Sequence, residues 1–105
     1  MKLWVDDVRP APEGYEWIKT VSDAKFYCIL CYHDDKLNID EIHLDHDAGD
    51  FYQYGGDYDE IVKWLEERHY IDGWNIPTVF KFHSMNPVGV ENMKRICAAN
   101  GWEVA

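Results

Sequence analysis

Short apolar runs that stop at acids alternate along this chain with segments of helical period. Lys2 to Asp6 reads as a buried strand ending at an acid pair, Asp6 and Asp7. Arg9 to Gly14 contains Pro10 and Pro12, which prevent regular pairing and predict a loop. Tyr15 to Lys19 alternates polar and apolar, as a half-buried strand does. Ser22 is placed to cap a helix over Ser22–His33, with Asp23 in its first turn. That segment is apolar nearly all round, so it is expected to be deeply buried or to cover a partner. Glu41 to Asp45 is the next strand and again ends in an acid.

Ala48 to Gly56 predicts a loop carrying exposed aromatics at Phe51, Tyr52 and Tyr54. Asp57 and Glu60 have the spacing of a capping box. Ile61, Val62, Leu65 and His69 then share one face of a helix running to Tyr70. Thr78 to Phe82 is a strand that delivers His83 and Ser84. Asn86 and Pro87 are an N-cap and a first helical residue, and Val90, Met93, Ile96 and Cys97 form the buried stripe up to Asn100. Trp102 to Val104 reads as a short terminal strand. The order of elements predicts one α/β domain over residues 1–105, an open, mainly parallel sheet of four or five strands flanked by three helices. Such sheets bind ligands outside the carboxyl ends of their strands.

Composition sharpens the expectation. The chain of 105 residues is 47% hydrophobic, with five Trp and seven Tyr, enough for a core without a disulfide scaffold. Twenty Asp and Glu against ten Lys and Arg give a net charge of -10, which argues against a groove for an extended nucleic-acid duplex or an anionic membrane surface. Three Cys, an N-terminus that turns acidic at once and the lack of a long apolar stretch fit a reduced, cytoplasmic setting. Cys28 and Cys31 lie mid-helix and read as core residues rather than a redox pair. His33 and His69 near helix ends, and His43 within a strand, read as structural.

The chemistry gathers at three strand ends. Asp6, Asp7 and Asp45 form an oxygen-rich set suited to Mg²⁺ or Mn²⁺. His46 and His83 could move protons near neutral pH, with Asp47 supporting His46 or adding a ligand. Arg9 offers a planar fork to phosphate oxygens, and Ser84 and the amides after Asn86 offer further anion contacts.

Three stretches, Leu3-Trp4-Val5-Asp6-Asp7-Val8-Arg9, Leu44-Asp45-His46-Asp47 and His83-Ser84-Met85-Asn86-Pro87-Val88-Gly89, together resemble the cyclic-phosphate-processing receiver-like domain family. The resemblance covers nearly the whole chain. It implies a receiver-like, flavodoxin-like fold in which Asp6 and Asp7 match a metal-binding acid pair. Asp45 matches a phosphoacceptor position and Ser84 a hydroxyl position. Two features depart from ordinary receivers: no Lys follows the last strand, and a Pro-rich loop stands where the first helix would be. His46, Asp47, His83 and Asn86 are added to the ordinary set. The resemblance therefore implies metal-dependent processing, by hydrolysis, of a cyclic phosphate or related phosphodiester. The ligand would be a cyclic nucleotide or a cyclic-phosphate nucleic-acid end. Two other readings stand beside it. One is a degenerate receiver that binds metal and a phosphorylated or protein partner without catalysis. The other is an acidic interaction protein, of viral origin, that occupies a basic partner site.

Overall fold

Four parallel strands carry the fold in the computed structural model, which describes residues 1–105. They are β1 (Lys2–Val5), β2 (Tyr15–Ile18), β3 (Glu41–Leu44) and β4 (Val79–Phe82), in the spatial order β2-β1-β3-β4. The terminal strand expected at Trp102–Val104 is reduced to one parallel bridge between Phe80 and Val104. Three helices, α1 (Val21–Cys28), α2 (Asp59–Asp72) and α3 (Pro87–Ala99), pack in series, α1 on α2 and α2 on α3.

Strand register explains the layering. Leu3 pairs with Ile42 and Ile42 with Phe80, and all three are buried. Val21, Cys28, Ile61, Leu65, Met93 and Cys97 from the helices join them in one core cluster. Alternation turns Trp4, Tyr15, Glu41, His43 and Lys81 to the opposite face. There, side chains cover the sheet. Trp4 meets the Tyr15 ring edge-on at 5.9 Å, and Lys81 pairs with Glu41 at 3.3 Å.

β1 and β2 run parallel although only residues 6–14 join them. A parallel crossover ordinarily takes about a dozen residues or more and a helix. Two indoles hold this short connection down: Trp4 Nε1 donates to the Arg9 carbonyl at 2.9 Å and Trp17 Nε1 to the Asp6 carbonyl at 2.8 Å.

The structure corrects three local expectations. Thr20, not Ser22, caps α1, its hydroxyl accepting from the Asp23 amide at 3.0 Å, while Ser22 donates to the Tyr54 carbonyl. The helical run beyond Cys28 passes into a π-type turn at Ile29–His33, and α1 is not deeply buried, since Phe26 is 59% exposed. Asp57 does not cap α2. Its carboxylate accepts from the Ala48 amide at 2.9 Å, fastening the Gly49–Tyr54 turn instead. At α3 the expectation holds: Asn86 Oδ1 accepts from the Gly89 amide at 2.9 Å, with Pro87 opening the helix.

Candidate functional site

The carboxyl ends of β1, β3 and β4 meet at one rim. The spatial order β2-β1-β3 makes the gap between β1 and β3 the point where chain connections diverge, the usual binding crevice of an open parallel sheet. Asp6 and Asp7 leave β1 on one side of that gap, and Asp45 leaves β3 on the other. One ligand oxygen from each of the three carboxylates lies within 4.8 Å of the others.

Asp6 is the buried member. Its Oδ1 accepts from the Val8 and Arg9 amides, both at 2.9 Å, and its Oδ2 receives His83 Nε2 at 2.7 Å. Burial pulls its pKa upward, but the hydrogen bonds from Arg9, Val8 and His83 more than offset this and hold the carboxyl below its ordinary range. Asp7 moves the other way. Burial first, and then the charges of Asp6 and Asp45, push its carboxyl upward. Asp45 Oδ1 accepts from the His46 amide at 2.8 Å. Gly49 lets the following turn close on this group, because a Cβ there would stand 2.3 Å from Asp7 Oδ2, and its φ of +56° suits glycine. Crowded carboxylates with opposed shifts and an oxygen-only donor set fit a hard divalent cation.

A second group adjoins the first. His46 Nδ1 lies 2.8 Å from Asp47 Oδ1 and 3.3 Å from Asn86 Nδ2, and its Nε2 is 4.0 Å from Asp59. The short Asp47 contact places the proton on Nδ1 and leaves Nε2 with a lone pair. Asp47, His46 and Asp57 also bring one ligand atom each within 4.8 Å of one another. Beyond them opens an acidic depression of about 520 Å³, lined by Tyr52, Gln53, Asp57, Asp59 and Glu60. It flanks the rim and does not include Asp6, Asp7 or Asp45.

The remaining expected residues fall around the same rim. Arg9 Nη1 donates to the His83 carbonyl at 3.0 Å, tying the loop after β1 to the end of β4. Ser84 Oγ accepts from the Asn86 amide at 3.0 Å and so shapes the turn into α3. His33 pairs with Asp34, and His69 Nδ1 meets the Trp74 carbonyl at 2.7 Å, both away from the rim. Cys28 is buried in the core, which raises its thiol pKa.

One residue of this neighbourhood escapes sequence reasoning. His43 Nδ1 lies 2.7 Å from His83 Nδ1, and Trp4 stacks on the His83 ring at 4.1 Å and meets the His43 ring at a tilt at 4.7 Å. Burial first, and then the nearness of His83, lower the His43 pKa. The only sequence signal is its register opposite Trp4 and Lys81, one residue short of the strand end.

An open parallel sheet ordered 2-1-3-4 with an acid pair after its first strand and an acid after its third defines a receiver-like domain. The model of the cyclic-phosphate processing receiver domain family matches residues 1–99, and the chain belongs to that family. No curated protein and no solved structure matches it. No helix is long and apolar enough to cross a membrane.

Proposed function

We propose that Asp6, Asp7 and Asp45 hold Mg²⁺ or Mn²⁺ and that the protein hydrolyses a cyclic phosphate, a cyclic nucleotide or a cyclic-phosphate nucleic-acid end. The observation that carries this reading is the approach of three carboxylates from two strand ends at the β1/β3 gap. The cation would polarise a phosphoryl oxygen and acidify a bound water.

The chain's own residues supply the rest. His46 Nε2 takes the proton of the attacking water, while Asp47 holds Nδ1–H and stabilises the imidazolium that forms. Water adds one P–O bond, the ring P–O bond breaks, and the proton returns to the leaving hydroxyl oxygen. The product is a phosphomonoester. Arg9, through the guanidinium nitrogens not used on the His83 carbonyl, grips phosphate oxygens together with the Ser84 hydroxyl and the Val88 amide, the one free N–H in the first turn of α3 once Gly89 and Val90 bond Asn86. Asn86 serves the phosphate indirectly, by capping α3. His83 stands beside Asp6 and orients that carboxylate through its Nε2. The setting is cytoplasmic, where the thiols of Cys28, Cys31 and Cys97 stay reduced.

Incubation with 2′,3′- and 3′,5′-cyclic nucleotides, with and without Mn²⁺, tests the reading. A phosphomonoester formed only with metal supports it. A metal-linked gain in melting temperature without product replaces it with the non-catalytic receiver.

A further inference from the structure

Both ring nitrogens of His83 are engaged. Nε2 faces Asp6 Oδ2 at 2.7 Å and Nδ1 faces His43 Nδ1 at 2.7 Å. Asp6 already accepts two backbone N–H groups at Oδ1, so it acts as an acceptor at Oδ2 as well and the shared proton sits on His83 Nε2. In its singly protonated form His83 then presents a bare Nδ1. Two bare nitrogens would repel at this distance, so His43 must donate its own Nδ1–H. The bonds run in one direction, from His43 to His83 to Asp6. Trp4, stacked on His83 at an interplanar angle of 7° and tilted against His43 at 41°, restricts the rotation of both rings.

We propose that His43 is a positioning residue of this site, which donates to the bare Nδ1 of His83 and thereby reinforces the Nε2–H tautomer that Asp6 selects and holds the ring aimed at that carboxylate. Its chemistry is that of an outer-layer hydrogen-bond partner: it touches neither cation nor phosphate. It sets the orientation of a residue that does touch the rim. The bearing on metal affinity rests on the reading of Asp6 as a cation ligand, but the tautomer assignment does not. In this arrangement His83 has no free lone pair, so it orients Asp6 while His46 carries the proton.

Long-range ¹H–¹⁵N correlation spectra of imidazole-labelled, metal-free protein at mildly alkaline pH read the tautomers directly. The expected spectrum shows His43 protonated at Nδ1 and His83 protonated at Nε2. His43 protonated at Nε2 would overturn the proposal. Two variants add a functional readout. His43→Phe keeps a ring beside Trp4 but no donor, and should leave His83 Nδ1 unpartnered, shift its ¹⁵N signal and weaken Mn²⁺ binding by about tenfold. His43→Asn restores a donor near the Nδ1 position and should recover both. Equal Mn²⁺ affinity and unchanged His83 signals in His43→Phe would also overturn it. Wild-type protein that shows the expected tautomers but binds no Mn²⁺ removes the cation reading and leaves the His43 assignment supported.

Discussion

Gly89 lies directly beneath the His46 ring: a Cβ at position 89 would stand 2.3 Å from His46 Cδ2 and 2.7 Å from its Nε2. In an exposed helix Gly→Ala would stabilise by up to about 1 kcal/mol. Here the methyl must push the imidazole off its seat against α3. Gly89→Ala is expected to gain nothing in melting temperature and to lose turnover on the order of 10²-fold, because the displaced ring carries the proton. Full turnover in this variant would separate His46 from the chemistry.

Asp45 supplies a test of the rim itself. Mn²⁺ at a hundred times its dissociation constant should stabilise the folded protein by about 2.7 kcal/mol, since a ligand of the folded state alone shifts unfolding. Asp45→Asn keeps the shape and removes the charge, so most of that gain should vanish. Calorimetry with and without metal decides it, and identical responses would show that Asp45 is no ligand.

The Tyr15–Glu41 pair predicts opposite limbs of a pH–stability curve. Its partner Glu41, together with burial, pushes the Tyr15 phenol up to about 12 from the usual 10. The folded state therefore holds this proton more tightly. The contribution is complete below pH 10 and is lost as pH rises from 10 through about 12. Burial raises the Glu41 pKa, but hydrogen bonds from Tyr15 and Lys81 outweigh it and hold the carboxyl low, so that share is present above its ordinary range and lost as pH falls below it. Urea midpoints of Tyr15→Phe should fall less steeply than wild type above pH 10, the rest of the alkaline limb coming from Tyr32, Tyr58, Cys28 and Cys97, whose pKa values burial also raises. A variant curve parallel to wild type above pH 10 would break the assignment.

Thr20 and Ser22 offer a purely structural check. Thr20→Ala should cost about 1 kcal/mol, the usual worth of an N-cap, while Ser22→Ala should cost clearly less because its hydroxyl serves only the exposed Tyr54 carbonyl. Denaturant midpoints of the two single variants would reveal a reversal.

Local chemistry made much of this molecule legible. The acids that end apolar runs announced Asp6, Asp7 and Asp45, and Asn86-Pro87 marked the start of α3 because both its signals act within one turn. Thr20 was hidden by Ser22, an equally good cap two residues on, and the choice was made by how β2 delivers the chain. Asp57 has a capping residue's spacing, but the Ala48 amide across the loop claims its carboxylate. His43 was hidden for a different reason. Its partner His83 is forty positions away, and only parallel pairing of β3 with β4 brings them together. The layering of the sheet, with side chains in place of a helix on one face, likewise follows from the brevity of the 6–14 connection and not from any single residue.

That brevity also orders assembly. The first pair across β1 and β2, Lys2 with Tyr15, closes a loop of thirteen residues, whereas Lys2 with Glu41 across β1 and β3 closes one of thirty-nine. A threefold longer loop costs about 1 kcal/mol more in closure entropy. The cheaper closure therefore belongs to β1 and β2, and it carries Asp6 and Asp7 with it. Their repulsion with Asp45 is met only when the longer loop closes, so counter-ions in the refolding buffer act on the later docking of β3 rather than on the first pairing.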